Sequence, residues 1–466
     1  MTSSEVEEKL RKLASVSRRE AEIASRLYLA SEGEERQQTD ELLDVLLFQR
    51  IQKDYRERIL LEPPAPETCF GEYVLGSVMY PPEKPYCQFG LREQEWIKHV
   101  LICGMTGTGK TNLAFQILRE LRRKGKPFLI FDWKRNYRDL RQVPEFSNLL
   151  VFTVGREVSP FRFNPLLPPP GVEPGQWLMK LVDVIKHTYF VGEGVEFLLR
   201  EAIDWVYEKT GFHDGSGQET PTFERVKDFV YKKHLQGRMS LWKASALRVL
   251  ESLCFRHGLG PVVNCTETLD VGLLEAPIIL ELDSLSDVDK IFMTEVMILW
   301  LYEFRKLEGK RETFKHALLI EEAHHVLSQK KEHVEGVETI METCLRQIRE
   351  FGESVIVIDQ EPSKLSDSIK ANTYTKICFN LGNGKDIVDM ATCMSLTREE
   401  AEFIDWLGVG QAIVGMKGRV CVPLHVSFPK VGIQKGFLAK PRIDENSSSA
   451  RATGLNRSYH ASANEQ

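Results

Sequence analysis

The feature that most constrains this chain is an eight-residue stretch, Gly104-Met-Thr-Gly-Thr-Gly-Lys110-Thr111. It fits the pattern G-x-x-x-x-G-K-[ST] at every fixed position. An apolar run, Lys98–Cys103, leads in as a buried strand does, and Asn112-Leu-Ala-Phe-Gln-Ile-Leu-Arg-Glu-Leu-Arg-Arg leads out with helical periodicity. Glycines in such a loop let backbone N–H groups converge on phosphate oxygens at a helix N-terminus. Gly104, Met105, Thr106, Gly107, Thr108, Gly109, Lys110, Thr111 and Asn112 are therefore the expected cradle for a nucleotide. The Lys110 ammonium would neutralise the β- and γ-phosphates, and the Thr111 hydroxyl would ligate Mg2+. The alternative, a glycine-rich turn without a ligand, does not explain why strand, loop and helix follow in this order.

Hydrolysis needs two further acids, one beside the metal and one that orients water. Three acidic strand ends are weighed for these roles: Phe128–Asp132, Ile278–Asp283 and Ala317–Glu322. The third alone supplies two in a row, so one can face the metal while its neighbour faces the attacking water. Glu321 is assigned to Mg2+ and its water shell, Glu322 to water activation. The competing reading makes the pair surface acids capping the next helix. Asp132, followed by Trp133-Lys134-Arg135, either faces the site or caps a turn.

From residue 98 strands alternate with helices. Further strand candidates are Leu149–Val154, Ser354–Asp359 and Lys376–Asn380. These are continuous apolar runs, as strands covered on both faces of a parallel sheet must be. The expected fold is α/β: a RecA-like P-loop core over 98–430 with a mainly parallel sheet, interrupted by an all-helical insertion over about 174–257. Gln411–Met416 and Val420–Ser427 read as a closing hairpin around Lys417-Gly418. Ahead of the core, helices over 4–30 and 39–61 form an N-terminal helical hairpin (1–63), and 64–97 is a short β-containing lead-in. The hairpin is an oligomer contact, a partner arm or a packed cap. The polar tail, 431–466, is expected to be disordered.

Composition narrows the class further. A net charge of −6 over 466 residues excludes a generally basic nucleic-acid binder while allowing a local basic channel. Nine cysteines without a C-x-x-C pair fit free thiols in a reducing compartment. No signal peptide is visible, and the most apolar stretch, Ile291–Phe304, is broken by Glu295 and Glu303, well short of the roughly 20 apolar residues of a membrane span. A cytoplasmic protein that does not enter a membrane is expected. Adjacent His324 and His325 point to different faces, with no further ligand at helical spacing, so zinc is not expected.

With these residues in place, 98–430 resembles the HerA/FtsK superfamily of ring-forming, RecA-like ATPases, and its HerA branch most closely. His99-Val-Leu-Ile-Cys-Gly-Met-Thr-Gly-Thr-Gly-Lys-Thr111 looks like that family's P-loop entry, and Phe131-Asp-Trp-Lys134 resembles its second strand. Ser159-Pro-Phe-Arg-Phe-Asn-Pro165 is similar to a segment following its third. Leu319-Ile-Glu-Glu-Ala-His324 matches the branch's Walker B pattern, with Glu in place of the commoner Asp, and makes His324 a site-wall residue. Ile348-Arg-Glu-Phe-Gly352 and Ile358-Asp-Gln-Glu-Pro-Ser363 resemble the stretch bearing its arginine finger and polar sensor.

The resemblance implies ATP with Mg2+ as cofactors, and Arg349 reaching the γ-phosphate held by a neighbouring subunit, with Arg346 as its rival. It implies that Gln360 senses that phosphate. It also implies a homo-oligomeric ring, a hexamer, with DNA through its pore and a nuclease or other effector as partner. Read without it, Arg349 is a cation at a helix end and Gln360 a hydrogen-bonded strand end. The chain departs from the family in its helical N-terminus, where HerA-type proteins usually carry a β-barrel, and in Glu361, where the branch often has a basic residue. Arg119–Lys126 and Arg305–Arg311 are basic, but read equally well as solvated helix ends. A DNA translocase or helicase is the leading expectation. A regulatory NTPase module that docks a partner through its N-terminus is the alternative, and a coupling or secretion ATPase at a membrane a third.

Overall fold

The computed structural model describes residues 3–434 and 436, apart from 32, 58–60, 214, 216, 218, 310, 329–338 and 435. The tail expected to be disordered from 431 starts later: Val431, Gln434 and Gly436 are hydrogen-bonded to Asn112, Gln142 and Asp139, and from 437 onward the tail lies outside the described residues.

Eleven strands among the described residues form one sheet. They are β1 (Tyr73–Met79), β2 (Pro85–Leu91), β3 (Val100–Cys103), β4 (Phe128–Asp132), β5 (Leu150–Thr153), β6 (Pro277–Glu281), β7 (His316–Glu321), β8 (Glu353–Asp359), β9 (Thr375–Cys378), β10 (Gln411–Met416) and β11 (Leu424–Ser427). Their order is β2-β1-β11-β10-β9-β3-β8-β7-β4-β6-β5. The run from β9 to β5 is parallel. Every residue of β3, β4, β6, β7 and β8 is buried, which is why these strands read as unbroken apolar runs.

The crossover from β3 to β4 decides where chemistry can happen. It runs through helix Lys110–Arg123 and passes over two positions that β8 and β7 later fill. The C-terminal ends of β3, β8, β7 and β4 thereby stand side by side. Cys103 pairs with Asp359, Ile358 with Glu321, and Ile320 with Phe131.

The sheet's two faces carry separate cores. One packs against the P-loop helix through Leu113, Ile117 and Leu121, together with Tyr73, Phe89 and Trp96 of the lead-in. The other packs against helices Pro174–Tyr189, Glu193–Lys209, Phe223–Lys232 and Arg238–Leu253, and against Asp287–Glu308, whose residues Phe292–Tyr302 are all buried. That burial on all sides explains the long apolar stretch there without a membrane. Among the described residues no helix is long and apolar enough to cross one.

Two expectations need correction. The lead-in is not a separate unit: β1 pairs antiparallel with β11, Ser77 opposite Ser427, so it extends the same sheet. The N-terminus holds three helices rather than two, Ser3–Val16, Arg18–Ala30 and Glu34–Glu57. Ser17 takes extended angles (φ −149, ψ 94) and splits the first. Apolar spacing carries across such a break because both halves bury the same face: Val6, Leu13, Ala21 and Ala24 meet Leu43.

Two buried histidines make the fold acid-sensitive. His99 sits between β3 and β8: its Nδ1 accepts from Val355 N–H at 3.0 Å, and its Nε2 meets the Leu345 carbonyl at 2.7 Å. His425, on β11, is edge-on to Phe403. Burial is the main cause that lowers both, to about 4. A histidine with a folded pKa below its unfolded value of about 6.5 is charged first in the unfolded chain, so stability falls as pH drops from about 6.5 towards 4. Each should cost about 2 kcal/mol at pH 5. The thermal midpoint should therefore fall between about pH 7.5 and about pH 5, and His425→Phe should flatten that fall; an unchanged slope would show that His425 is not a source of it.

Candidate active site

The P-loop is shaped by what touches it. A side chain at Gly104 would put its Cβ 2.6 Å from Cβ of Phe379, so only glycine fits between β3 and β9. Gly109 has φ 121 and lies against Gly410, whose N–H donates to the Thr108 carbonyl at 2.8 Å. Thr108 is buried and donates to the Met105 carbonyl at 2.8 Å, so it braces the loop from inside. The Lys110 ammonium donates to the carbonyls of Gly104 and Met105. Burial lowers its pKa, against the pull of nearby Glu322, Asp359 and Glu321. Before the loop opens a cavity of about 570 Å³, lined by Gly107, Lys110, Thr111, Glu321, Glu322 and Gln360 among others.

The end of β4 is a turn built on Asp132. Its carboxylate is fully buried and accepts from the N–H groups of Lys134 (3.2 Å), Asn136 (3.0 Å) and Tyr137 (3.0 Å). Burial, with Glu321 nearby, raises it to about 7. Of the two readings open for Asp132, turn cap is the one the geometry takes. The turn carries Asn136 and Tyr137 to Glu321: the Tyr137 hydroxyl donates at 2.9 Å and the Asn136 amide at 3.4 Å. Burial also raises Glu321.

Glu322 turns away from its neighbour because its backbone is left-handed, with φ 49. Its Oε1 accepts from Lys134 Nζ at 2.5 Å and from Gln360 Nε2 at 2.6 Å. The other end of the Gln360 amide accepts from the Thr106 hydroxyl at 2.5 Å, so a polar chain runs from the P-loop across β8 and β7 to the β4 turn. The acid pair thus faces two ways. Glu321 looks inward to Tyr137, Glu322 outward across the mouth of the cavity.

Asp359, at the end of β8, accepts the backbone N–H of His324 at 2.7 Å and meets its Nδ1 at 3.0 Å. Burial opposes charge on both, but the pairing prevails: His324 rises above the usual imidazole range and Asp359 falls below the usual carboxylate range. His325 stacks on Trp133, with ring centroids 4.8 Å apart.

A strap that follows β11 closes the far wall. The Asn112 amide donates to the Pro429 carbonyl at 2.8 Å and accepts from Val431 N–H at 2.7 Å. Gln142 makes the same two-ended contact with Gln434, at 2.7 and 3.2 Å, and Asp139 accepts from Gly436 N–H. The strap so held sets Phe428, Val431 and Ile433 opposite Phe115 in the cavity wall.

The structure gathers Thr106, Gly107, Gly109, Lys110, Thr111, Asn112, Glu321, Glu322 and Gln360 around one cavity. It spends the Asn112 side chain on the strap, and keeps Thr108 inside the loop. It does not bring Arg349 or Arg346 there. Arg349 opens the short turn Arg349–Phe351 before β8, at the opposite edge of the sheet, roughly 20 Å from Gln360 along the strand. Three cations of the basic stretches are committed: Arg305 is buried against Glu353, Arg119 pairs with Glu145, and Lys126 donates to the Phe314 carbonyl. Lys134, Asn136, Tyr137, Asp359 and the strap escaped the sequence reading. Lys134 stood in a quoted motif, and the acid ending Phe128–Asp132 was a turn signal; the strap left none.

A phosphate loop at the end of a parallel strand, faced by an acid pair two strands away, defines a P-loop NTPase. Residues 75–251 match the family described as the central domain of helicase HerA (DUF87). Among solved structures, VirB4 of Thermoanaerobacter pseudethanolicus is similar with a TM-score of 0.59 and 17% identity, over 77% of this chain and 96% of that one. The plasmid coupling protein TrwB, in complex with the non-hydrolysable ATP analogue ADPNP, is similar with a TM-score of 0.57 and 13% identity, over 74% and 89%. TrwB in complex with ADP and Mg2+ gives a TM-score of 0.55 at 12% identity, over 76% and 89%. At such identities the likeness is one of fold. No curated protein matches the chain. The family match over 75–251 and the motif series support a P-loop ATPase of the HerA/FtsK superfamily.

Removing the Asp132 carboxylate strands three backbone N–H groups under the sheet edge. Asp132→Ala should cost about 3 kcal/mol or more in urea unfolding; a cost below about 1 kcal/mol would mean that the turn does not rest on it.

Proposed function

We propose that the chain is an ATP-driven motor that acts on DNA, working in the cytoplasm as a homo-oligomeric ring of six. The observation that carries its hydrolytic half is Glu322, at a strand end beside the P-loop chamber, with Glu321 turned inward behind it. Glu322 is the base that orients and deprotonates the attacking water, and Lys110 exchanges the carbonyls of Gly104 and Met105 for the β- and γ-phosphates. Thr111 and Glu321 would hold Mg2+, which screens charge building up on the phosphates. The fit is chemical: Glu321 is a desolvated carboxylate whose anionic form gains from a cation. Gln360 would register the γ-phosphate, a role supported by its links to both Thr106 and Glu322.

The motor half draws on the HerA-domain match and on the folds shared with VirB4 and TrwB. It is also supported by Arg349, which faces the edge of the sheet opposite its own site, where a finger serving the next subunit belongs. A nuclease or similar effector is the expected partner. Phe115, Phe428, Val431 and Ile433 form the base wall. As an apolar wall it holds a base by burial and reads its edge poorly.

Steady-state hydrolysis with and without DNA tests the proposal. DNA should stimulate turnover, and Lys110→Ala and Glu322→Gln should each abolish it; if DNA changed neither rate nor oligomeric state, translocation would be lost and hydrolysis kept. Mixing Arg349→Ala with Lys110→Ala subunits should restore part of the activity, since each supplies what the other lacks. ATP and GTP should differ by no more than about tenfold in kcat/KM, and Ile433→Ala should raise KM for both alike. Strong selectivity for one base would reject the apolar-wall account.

A further inference from the structure

The contact between Lys134 and Glu322 is odd for a site that must use Glu322 as a base. An ammonium at 2.5 Å and an amide at 2.6 Å, both on Oε1, stabilise the carboxylate as an anion and so weaken its drive to take a proton from water through either oxygen. We propose that Lys134 is a positioning residue that latches Glu322 in an idle state, and that nucleotide engagement at the P-loop releases it through Thr106 and Gln360. The inference rests on the reading of Glu322 as the catalytic base.

Three observations support it. Lys134 is not a stray surface cation, because the turn that presents it is fixed by Asp132, which accepts its backbone N–H. Its side chain is half-exposed, 52% against 15% for Glu322, so the contact can break at little cost. The Gln360 amide is engaged at both ends, by Thr106 on the P-loop and by Glu322. When phosphate oxygens draw on Thr106, Gln360 loses one partner and has reason to rotate away, and the contact with Lys134, left as the single tie on Glu322 Oε1 and itself drawn by the phosphate charge, then breaks. The left-handed backbone of Glu322, uncommon for a residue with a side chain, fits a position that is held rather than relaxed.

A competing role makes Lys134 a second phosphate-binding cation, and the two roles predict opposite signs. The experiment is steady-state ATP hydrolysis without DNA by the full chain, for wild type, Lys134→Met, Lys134→Gln, Lys134→Arg, Glu322→Gln and the double variant Lys134→Met/Glu322→Gln. Thermal melting identifies folded variants, and either neutral substitution serves if the other fails to fold. The latch predicts that the neutral variants raise kcat by about three- to tenfold, with KM for ATP unchanged within about twofold. Lys134→Arg should restore the wild-type rate by restoring the contact, and the double variant should be inactive, so that the added turnover runs through Glu322. A lower kcat or a higher KM in the neutral variants would make Lys134 a phosphate ligand, and no change in either would make the contact idle; both results overturn the latch. Glu322→Gln turning over at the wild-type rate would remove the base assignment itself, and the latch with it.

Discussion

The site depends first on strand order. A parallel strand must be covered on both faces, and its neighbours must point the same way, so every C-terminal end falls on one edge. In this chain the crossover from β3 to β4 leaves two positions open, and β8 and β7 fill them. Cys103, Asp359, Glu321 and Asp132 then stand in a row, each ending a strand in which every residue is buried. None was brought there by its own loop. The register fixed them together, and loops had only to finish the job.

Acids crowd this edge, and each is compensated differently. Asp132 takes three backbone N–H groups, Glu321 a phenol and an amide, and Asp359 an imidazole with its N–H. These partners are carried on short or buried groups that have little freedom to leave. Glu322 instead takes the ends of a lysine and a glutamine. Among the four, the acid assigned to catalysis is the one held by the most mobile donors. Asp132 and Asp359 can keep their partners throughout, whereas a base has to surrender its partner once per turnover.

What could be read from the sequence follows from the range of the interactions involved. The P-loop, the strand ends and the acid pair were legible because each is local: Gly109 and Lys110 are neighbours, and Phe128-Leu-Ile-Phe-Asp132 is a buried strand on its face. The pairing of β1 with β11 was not, since Ser77 and Ser427 meet across most of the chain, and nothing in either names the other. The same holds for the strap. Asn112 lines the cavity as expected, but nothing local shows that its amide also holds the backbone at Pro429 and Val431. Lys134 lies in the segment that resembles the family's second strand, and nothing local shows that its ammonium reaches Glu322, far along the chain. Ser17 failed for another reason: apolar periodicity registers which face is buried, and a break that keeps the face leaves the pattern intact.

Arg349 brings the two edges of the sheet into one argument. The helix Ile340–Ile348 that precedes it ends against His99, whose ring bridges the Leu345 carbonyl and the Val355 N–H. His99 stands immediately before β3, and β3 is four residues long, fully buried, and runs straight into the P-loop. A short buried strand is stiff, because interiors packed to crystal density do not yield a little at a time. In the proposed ring, a load on Arg349 from the next subunit would therefore act at the foot of the strand whose head is the phosphate cradle. The opposite edge of the sheet is then the place where one site meets the next, and the arginine's distance from its own nucleotide is what the arrangement requires.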